Sequence, residues 1–273
     1  MDLGIAGRVA LVSGATSGLG RAVATALAAE GARVAICGRD EARLAAAAEQ
    51  VNDAAAAYRA RSGGAARPAA GAGRPVRDPV RADRVDLRDH DAVRRWVDTV
   101  ATDLGGPDIV VSNAGGPPAG PVTAFDLAAY RDAVELCLLA HIGFVQATLP
   151  RLRAAGWGRI LLVASETVRR PRPQYGLSNT VRPGLVGYAK SLVPEIGPDG
   201  VTINVLAPGY HRTPALTRQF DDPAASLARI AAGVPVGRVG DPADFGATAA
   251  FLAGNQAAFI TGSTILVDGG ASL

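Results

Sequence analysis

Lysine and cysteine are among the scarcest residues of this sequence: Lys190 stands alone, and Cys37 and Cys137 are the only two thiols. Two cysteines so far apart give neither a disulfide framework nor the spacing of a metal cluster. They imply a reducing cytoplasm, with each thiol a small buried side chain. Charge is also sparse, at 19% of residues, and leaves a formal net charge of +3. The arginines are scattered rather than gathered on one helix, so the chain lacks an electrostatic footprint for nucleic acid. No apolar run looks long enough to cross a membrane. The N-terminus MDLGIAGRVALVSG has neither the basic start nor the cleavage pattern of a secretory signal. Internal repeats are missing too, and the near-exclusive use of arginine over lysine, with abundant alanine, looks like genomic composition bias.

What is present is a chain of 273 residues, 48% hydrophobic, able to bury a sizeable core. Length alone permits one large α/β domain or two small ones. Short β-branched runs recur at RVALVS (8–13), RVAIC (33–37), DIVVS (108–112), RILLVA (159–164), VTINVL (201–206) and STILVD (263–268), separated by Ala/Leu-rich stretches. Continuous apolar strands alternating with helices predict a parallel sheet covered on both faces, a doubly wound α/β fold. The stretch RSGGAARPAAGAGRPVRDPVR, 61–81, has no periodicity. It is expected to be a mobile surface loop, the functional alternative being a partner-binding arm or lid.

The first apolar run leads into GATSGLG and then an Ala-rich helix. Gly14, Thr16, Ser17, Gly18, Leu19 and Gly20 thereby become candidates for holding a pyrophosphate. Glycines admit the phosphate close to the backbone, and a helix N-terminus supplies N–H donors. The second strand ends in CGRD, where a carboxylate would hold the 2′-hydroxyl of NAD(H). Gly38 offers none and Arg39 follows, which suits the 2′-phosphate of NADP(H). The alternative is that Arg39 is a solvated loop charge.

With GATSGLG, NAG at 113–115, APG at 207–209 and ITGSTILVDGG near the end in this order, the chain resembles the short-chain dehydrogenase/reductase family along nearly its full length, in the manner of 3-oxoacyl-acyl-carrier-protein-reductase-like members. The resemblance implies a single-domain Rossmann fold with strand order 3-2-1-4-5-6-7, assembled as homotetramers or homodimers and acting on a small-molecule substrate. It places Asp86 and Leu87 by the adenine, and Asn113, Ala114 and Gly115 along the cofactor. Thr213 falls at the nicotinamide amide, and Pro208 and Gly209 are further cofactor-binding positions. It also implies hydride transfer between nicotinamide and a carbonyl or alcohol, with a tyrosine as proton donor, a lysine four residues later, a serine and an asparagine.

Of these four, this sequence keeps one. Anchored on Ser165 in LLVASE, and again on the downstream block GYAKSLVPEIGPDGVTINVLAPG, the tyrosine position is Ser178 and the lysine position Arg182, while the asparagine position falls on Cys137. Tyr188 and Lys190 are two residues apart and point about 200° apart on a helix, so they form no substitute pair. Pro183 suggests a helix that starts late, with Ser178 or Asn179 as N-cap. Arg182 could attract phosphate, ribose or a carboxylate, but its guanidinium stays charged and relays no proton. Ser165 with Ser178 could grip a carbonyl oxygen, each donor being worth about 3 kcal/mol in a transition state. Tyr175 is a possible substituted proton donor. His211, after APG, is either a neutral-pH acid or base or an ordinary loop residue. His141, four residues after Cys137, is expected to pack rather than bind metal.

Three functions stay open: an NADP(H)-dependent oxidoreductase with altered proton delivery, non-redox chemistry on the same fold (elimination, isomerisation, cyclisation or bond cleavage), and a non-catalytic NADP(H)-binding partner subunit. Fold alone does not choose among them.

Overall fold

Six of the apolar runs become strands, and a seventh strand joins them where the sequence carries no such run. The computed structural model describes residues 1–62 and 80–273. The first half contains β1 (Val9–Val12), α1 (Gly18–Ala29), β2 (Arg33–Gly38), α2 (Glu41–Arg61), β3 (Val80–Arg84), α3 (His90–Leu104) and β4 (Ile109–Ser112). Then follow α4 (Leu127–Val134), α5 (Ala140–Ala154), β5 (Gly158–Val163), α6 (Gly176–Val181), α7 (Pro183–Ile196) and β6 (Val201–Pro208). The chain finishes with α8 (Pro214–Thr217), α9 (Pro223–Ala232), α10 (Pro242–Ala253) and β7 (Thr264–Val267).

All strand pairs are parallel, in the order β3-β2-β1-β4-β5-β6-β7. The chain runs outward through β1, β2 and β3, then returns to the other side of β1 to start β4. The crevice at that reversal, over the carboxyl ends of β1 and β4, is where open α/β sheets bind ligands. One face of the sheet is covered by α1, α2 and α10, whose Val23, Leu27, Leu44, Val51, Phe245 and Leu252 close around Val12, Ile36 and Val111. The opposite face is covered by α3, α5 and α7, with Trp96 stacked on Phe144 at 5.4 Å.

β3 escaped the sequence reading because VRADR is an edge strand, only half-buried, whose polar side chains find partners: Asp83 receives Trp96 Nε1 at 3.0 Å and Arg81 Nε at 2.8 Å. Of the loop expected over 61–81, Arg61 ends α2 and Val80 and Arg81 open β3. Residues 63–79 lie outside the described part.

Two local features differ from expectation. Leu127–Ala154 is one continuous helical stretch that reaches the length and mean hydropathy, 1.4, of a membrane span. Here its Ala140, Phe144, Val145 and Leu152 pack on the sheet as core. Between α4 and α5, Glu135–Leu139 form a π turn with buried Cys137 inside it. The second difference concerns the helix over 176–196, which does not start late. α6 begins at Gly176, Arg182 is helical at φ −64° and ψ −27°, and Pro183 occupies the first position of α7. Its missing N–H would have been unpaired there in any case. A satellite cluster of Ala133, Cys137, Leu177 and Val181 joins α4, the π turn and α6.

Candidate active site

A cleft of about 530 Å³ lies over the carboxyl ends of the central strands. At one end, Gly14, Thr16, Ser17, Gly18 and Leu19 line it. Gly14 and Gly18 hold φ of +57° and +56°, the left-handed region that side chains avoid. Gly20 is needed for a different reason: a Cβ there would lie 2.4 Å from the Gly14 carbonyl oxygen. Asn113 braces the turn, donating Nδ2 to that same oxygen at 3.0 Å and its backbone N–H to Ser13 Oγ at 2.9 Å. Ser17 stands at the N-cap of α1 without capping it through its side chain, and the first turn holds no acid. The donors and positive dipole end of α1 are therefore available to an anion.

Along the wall toward β2 and β3 lie Gly38, Arg39, Asp86 and Leu87. Arg88 Nη2 donates to Asp86 at 2.7 Å and, with its backbone N–H, holds that carboxyl below the usual range. Arg39 has no carboxylate within ion-pair distance among the described residues.

At the other end the cleft is walled by Asn113, Ala114 and Gly115, by Ser165, Glu166, Thr167 and Tyr175, and by Pro208, Gly209, Tyr210, His211 and Thr213. Ser165 lies two residues after β5 in extended conformation and accepts the Thr167 N–H on its Oγ at 3.2 Å. Its hydroxyl proton is thus free to be donated. Thr213 caps α8, accepting from Leu216 N–H at 3.3 Å. Tyr175 is pushed up to about 12, first by burial, then by Tyr210 and Glu166, with Arg172 opposing.

Ser178 and Arg182 are not among the cleft-lining residues. Ser178, 6% exposed, lies behind Thr167, with the two hydroxyl oxygens 3.0 Å apart. The buried Arg182 guanidinium donates Nη1 to the carbonyls of Val163 and Ala164 at 3.1 and 2.9 Å, and Nη2 to Gly115 at 3.4 Å. It ties the end of β5 to the loop that follows β4. His211 does border the cleft, but its ring is held by Gly209 O at 3.1 Å from Nδ1 and by the edge of Phe245. Burial, its leading influence, lowers its pKa and keeps it neutral near pH 7. His141 is fully buried against Ser112 Oγ at 2.9 Å and is pushed down to about 3 by burial and then by Arg182. Among the described residues no cluster of metal-ligating side chains is present.

The sequence reading passed over Glu166 and Thr167. Glu166, 4% exposed, pairs through Oε1 with Arg172 Nε at 2.5 Å, and Arg172 also lies 5.3 Å from the Tyr210 ring. The available signal was an acid directly after a strand-end serine, with arginines a few positions on.

Residues 65–272 match the family described as enoyl-(acyl carrier protein) reductase, and residues 8–70 match short chain dehydrogenase. The chain belongs to the short-chain dehydrogenase/reductase family. It is 32% identical to cis-4-hydroxycyclohexanecarboxylate dehydrogenase of Sinomonas cyclohexanicum, over 99% of this chain and 98% of that one. It is 30% identical to the 3-oxoacyl-(acyl-carrier-protein) reductase FabG of Escherichia coli K12, over 97% of each chain. Its fold superposes on L-sorbose reductase from Gluconobacter frateurii, solved with NADPH and L-sorbose, with a TM-score of 0.85 at 26% identity, covering 99% and 98% of the two chains. These relatives are dehydrogenases and reductases.

Proposed function

We propose that this protein is an NADP(H)-dependent oxidoreductase acting on a carbonyl or alcohol of a small to medium organic substrate, with an atypical site in which Ser178 and Arg182 stand where the family carries tyrosine and lysine. The observation that carries this reading is the continuity of one cleft from the glycine turn and Arg39 to Ser165 and Tyr175. The residues present fit a phosphorylated dinucleotide. The start of α1 is uncapped by side chain, Arg39 suits a 2′-phosphate, and Gly115 and Gly116 line the cleft where a Cβ would meet nothing within 4 Å. The sorbose reductase of the same fold was solved with NADPH.

When bound, the nicotinamide supplies or takes the hydride. Ser165 donates its free hydroxyl proton to the substrate oxygen and stabilises the charge that gathers there. Tyr175 keeps its proton across the physiological range and lines the same cleft, so it is the group from which the alkoxide takes a proton in reduction. Without a lysine beside it, its raised pKa makes it a slow donor. Arg182 holds Gly115 and the end of β5 in place and moves no proton.

A second reading is favoured by the withdrawal of Ser178 and Arg182 from the cleft: non-redox chemistry, with the dinucleotide structural. The deciding experiment follows NADPH absorbance with a panel of ketones, aldehydes and quinones, while binding of NADPH is checked by fluorescence. One-to-one turnover establishes the oxidoreductase. Bound but unconsumed NADPH, with product formed in its absence, establishes the other.

A further inference from the structure

The hydroxyl at the tyrosine position does not reach the cleft, yet it touches one that does. Ser178 Oγ is 3.0 Å from Thr167 Oγ1, both residues are buried, and Thr167 lines the cleft beside Ser165. Each hydroxyl has one proton to donate and can accept. Ser178 has no other side-chain hydrogen-bond partner among the described residues, so if Thr167 donated to it, the Ser178 proton would be buried without an acceptor. Leaving such a group unpaired costs about 1–3 kcal/mol. Thr167 is as buried, at 3% exposed, but unlike Ser178 it borders the cleft, so the reverse arrangement, in which Ser178 donates to Thr167, leaves the spare proton on the residue that a water or ligand in the cleft can satisfy. The same accounting holds next door, where Ser165 accepts from the Thr167 backbone N–H and keeps its own proton.

We propose that Thr167 is a second catalytic donor of this site, acting with Ser165 on the substrate oxygen, and that Ser178 is the positioning residue that orients it. This places two hydroxyl donors, from residues two apart on one short turn after β5, where charge gathers on a carbonyl oxygen. Glu166 lies between them in sequence, but its carboxylate is turned away to Arg172. The inference rests on the oxidoreductase reading for its kinetic consequence, and on hydroxyl geometry alone for its structural one.

The test therefore has two arms. In the first, Thr167→Val removes the hydroxyl at nearly constant shape, Thr167→Ser keeps it, and Ser178→Ala removes only the orienting partner. With a quinone or ketone reduced by the wild type, Thr167→Val should lower kcat by about 100-fold, the scale of one oxyanion donor. Thr167→Ser should restore it to within about 5-fold, and Ser178→Ala should lower kcat by about 10-fold with KM little changed. NADPH affinity and thermal midpoint, measured on each variant, show that the fold and cofactor site are intact. Full kcat in Thr167→Val overturns the proposal.

The second arm needs no turnover. A high-resolution or neutron structure of the NADPH complex should show one water or ligand oxygen within hydrogen-bond reach of both Ser165 Oγ and Thr167 Oγ1. It should also show the Ser178 hydrogen directed at Thr167. A Thr167 hydrogen directed at Ser178 overturns the proposal even if the panel yields no substrate. Silence of the whole panel with the expected hydrogens in place counts against the oxidoreductase reading instead.

Discussion

Arg172 donates its Nε across 2.5 Å to Oε1 of Glu166, which lines the cleft, and the acid's other oxygen, Oε2, is buried with no partner among the described residues. The Glu166 side chain is 6% exposed and that of Arg172 26%. Removing the arginine alone strands a buried carboxylate. Arg172→Met should therefore destabilise the protein by about 3 kcal/mol in urea unfolding, and adding Glu166→Gln should recover part of that loss. Equal stability of the wild type and Arg172→Met would show that the pair carries no such coupling.

Cofactor choice should respond to Arg39. Its place on the cleft wall after β2, with no carboxylate within ion-pair distance among the described residues, suits the extra phosphate of NADPH. Arg39→Ala is expected to weaken NADPH binding by about 10–100-fold, the value of one charge-assisted hydrogen bond, while leaving NADH within about 2-fold. Calorimetric titration with both dinucleotides reads this directly, and parallel losses for the two would remove Arg39 from the 2′-phosphate.

The Arg182 guanidinium should prove structural first. It satisfies three carbonyl oxygens from beneath the cleft while fully desolvated, which also lowers its pKa. Arg182→Met removes those three hydrogen bonds, leaving Gly115 O only its weak contact with Cys137 Sγ at 4.0 Å, and should cost about 3 kcal/mol in stability. Because Gly115 is one of the three, NADPH affinity should fall as well. A variant with normal stability and only kcat reduced would point to a direct role in the reaction.

Stability at acid pH should carry the mark of His141. Its pKa falls from 6.5 to about 3 on folding. Between those values the unfolded chain binds a proton that the native chain refuses. The neutral imidazole's contribution is complete above pH 6.5 and is lost as pH falls, by up to about 1.4 kcal/mol per pH unit. His211, also lowered by burial, adds in the same direction as pH falls through 6.5. His141→Asn should flatten this acid limb in a urea series from pH 7 to pH 4, whatever its effect on stability at pH 7. An unchanged slope would mean that His141 titrates alike in both states.

The central strands were legible because buried parallel strands need apolar side chains on both faces, and β1, β2, β4, β5 and β6 have them. β3 was not, since an edge strand can be made of VRADR when Asp83 and Arg81 find partners across the surface. The glycine turn was legible because strand, glycines and helix follow one another in the chain. The register that brought Ser178 and Arg182 forward as candidates carries no information about reach. Both are buried: the Ser178 hydroxyl stops at Thr167, and the Arg182 guanidinium is held by the carbonyls of Val163, Ala164 and Gly115. Glu166 and Thr167 were hidden for the opposite reason: their importance comes from Arg172 and Ser178, which meet them only in three dimensions.

The satellite cluster of Ala133, Cys137, Leu177 and Val181 has a consequence for how this protein can diversify. It is a small hydrophobic joint, separate from the two large cores on the sheet faces, and α6 follows directly on Tyr175. Exchanges of volume among Ala133, Leu177 and Val181 would act on α6 and the turn that carries Tyr175, whereas Cys137, whose Sγ lies 4.0 Å from the Gly115 carbonyl, ties the same joint to the other wall of the cleft. Selection for new substrates could work through the first three, with Cys137 the member least free to vary.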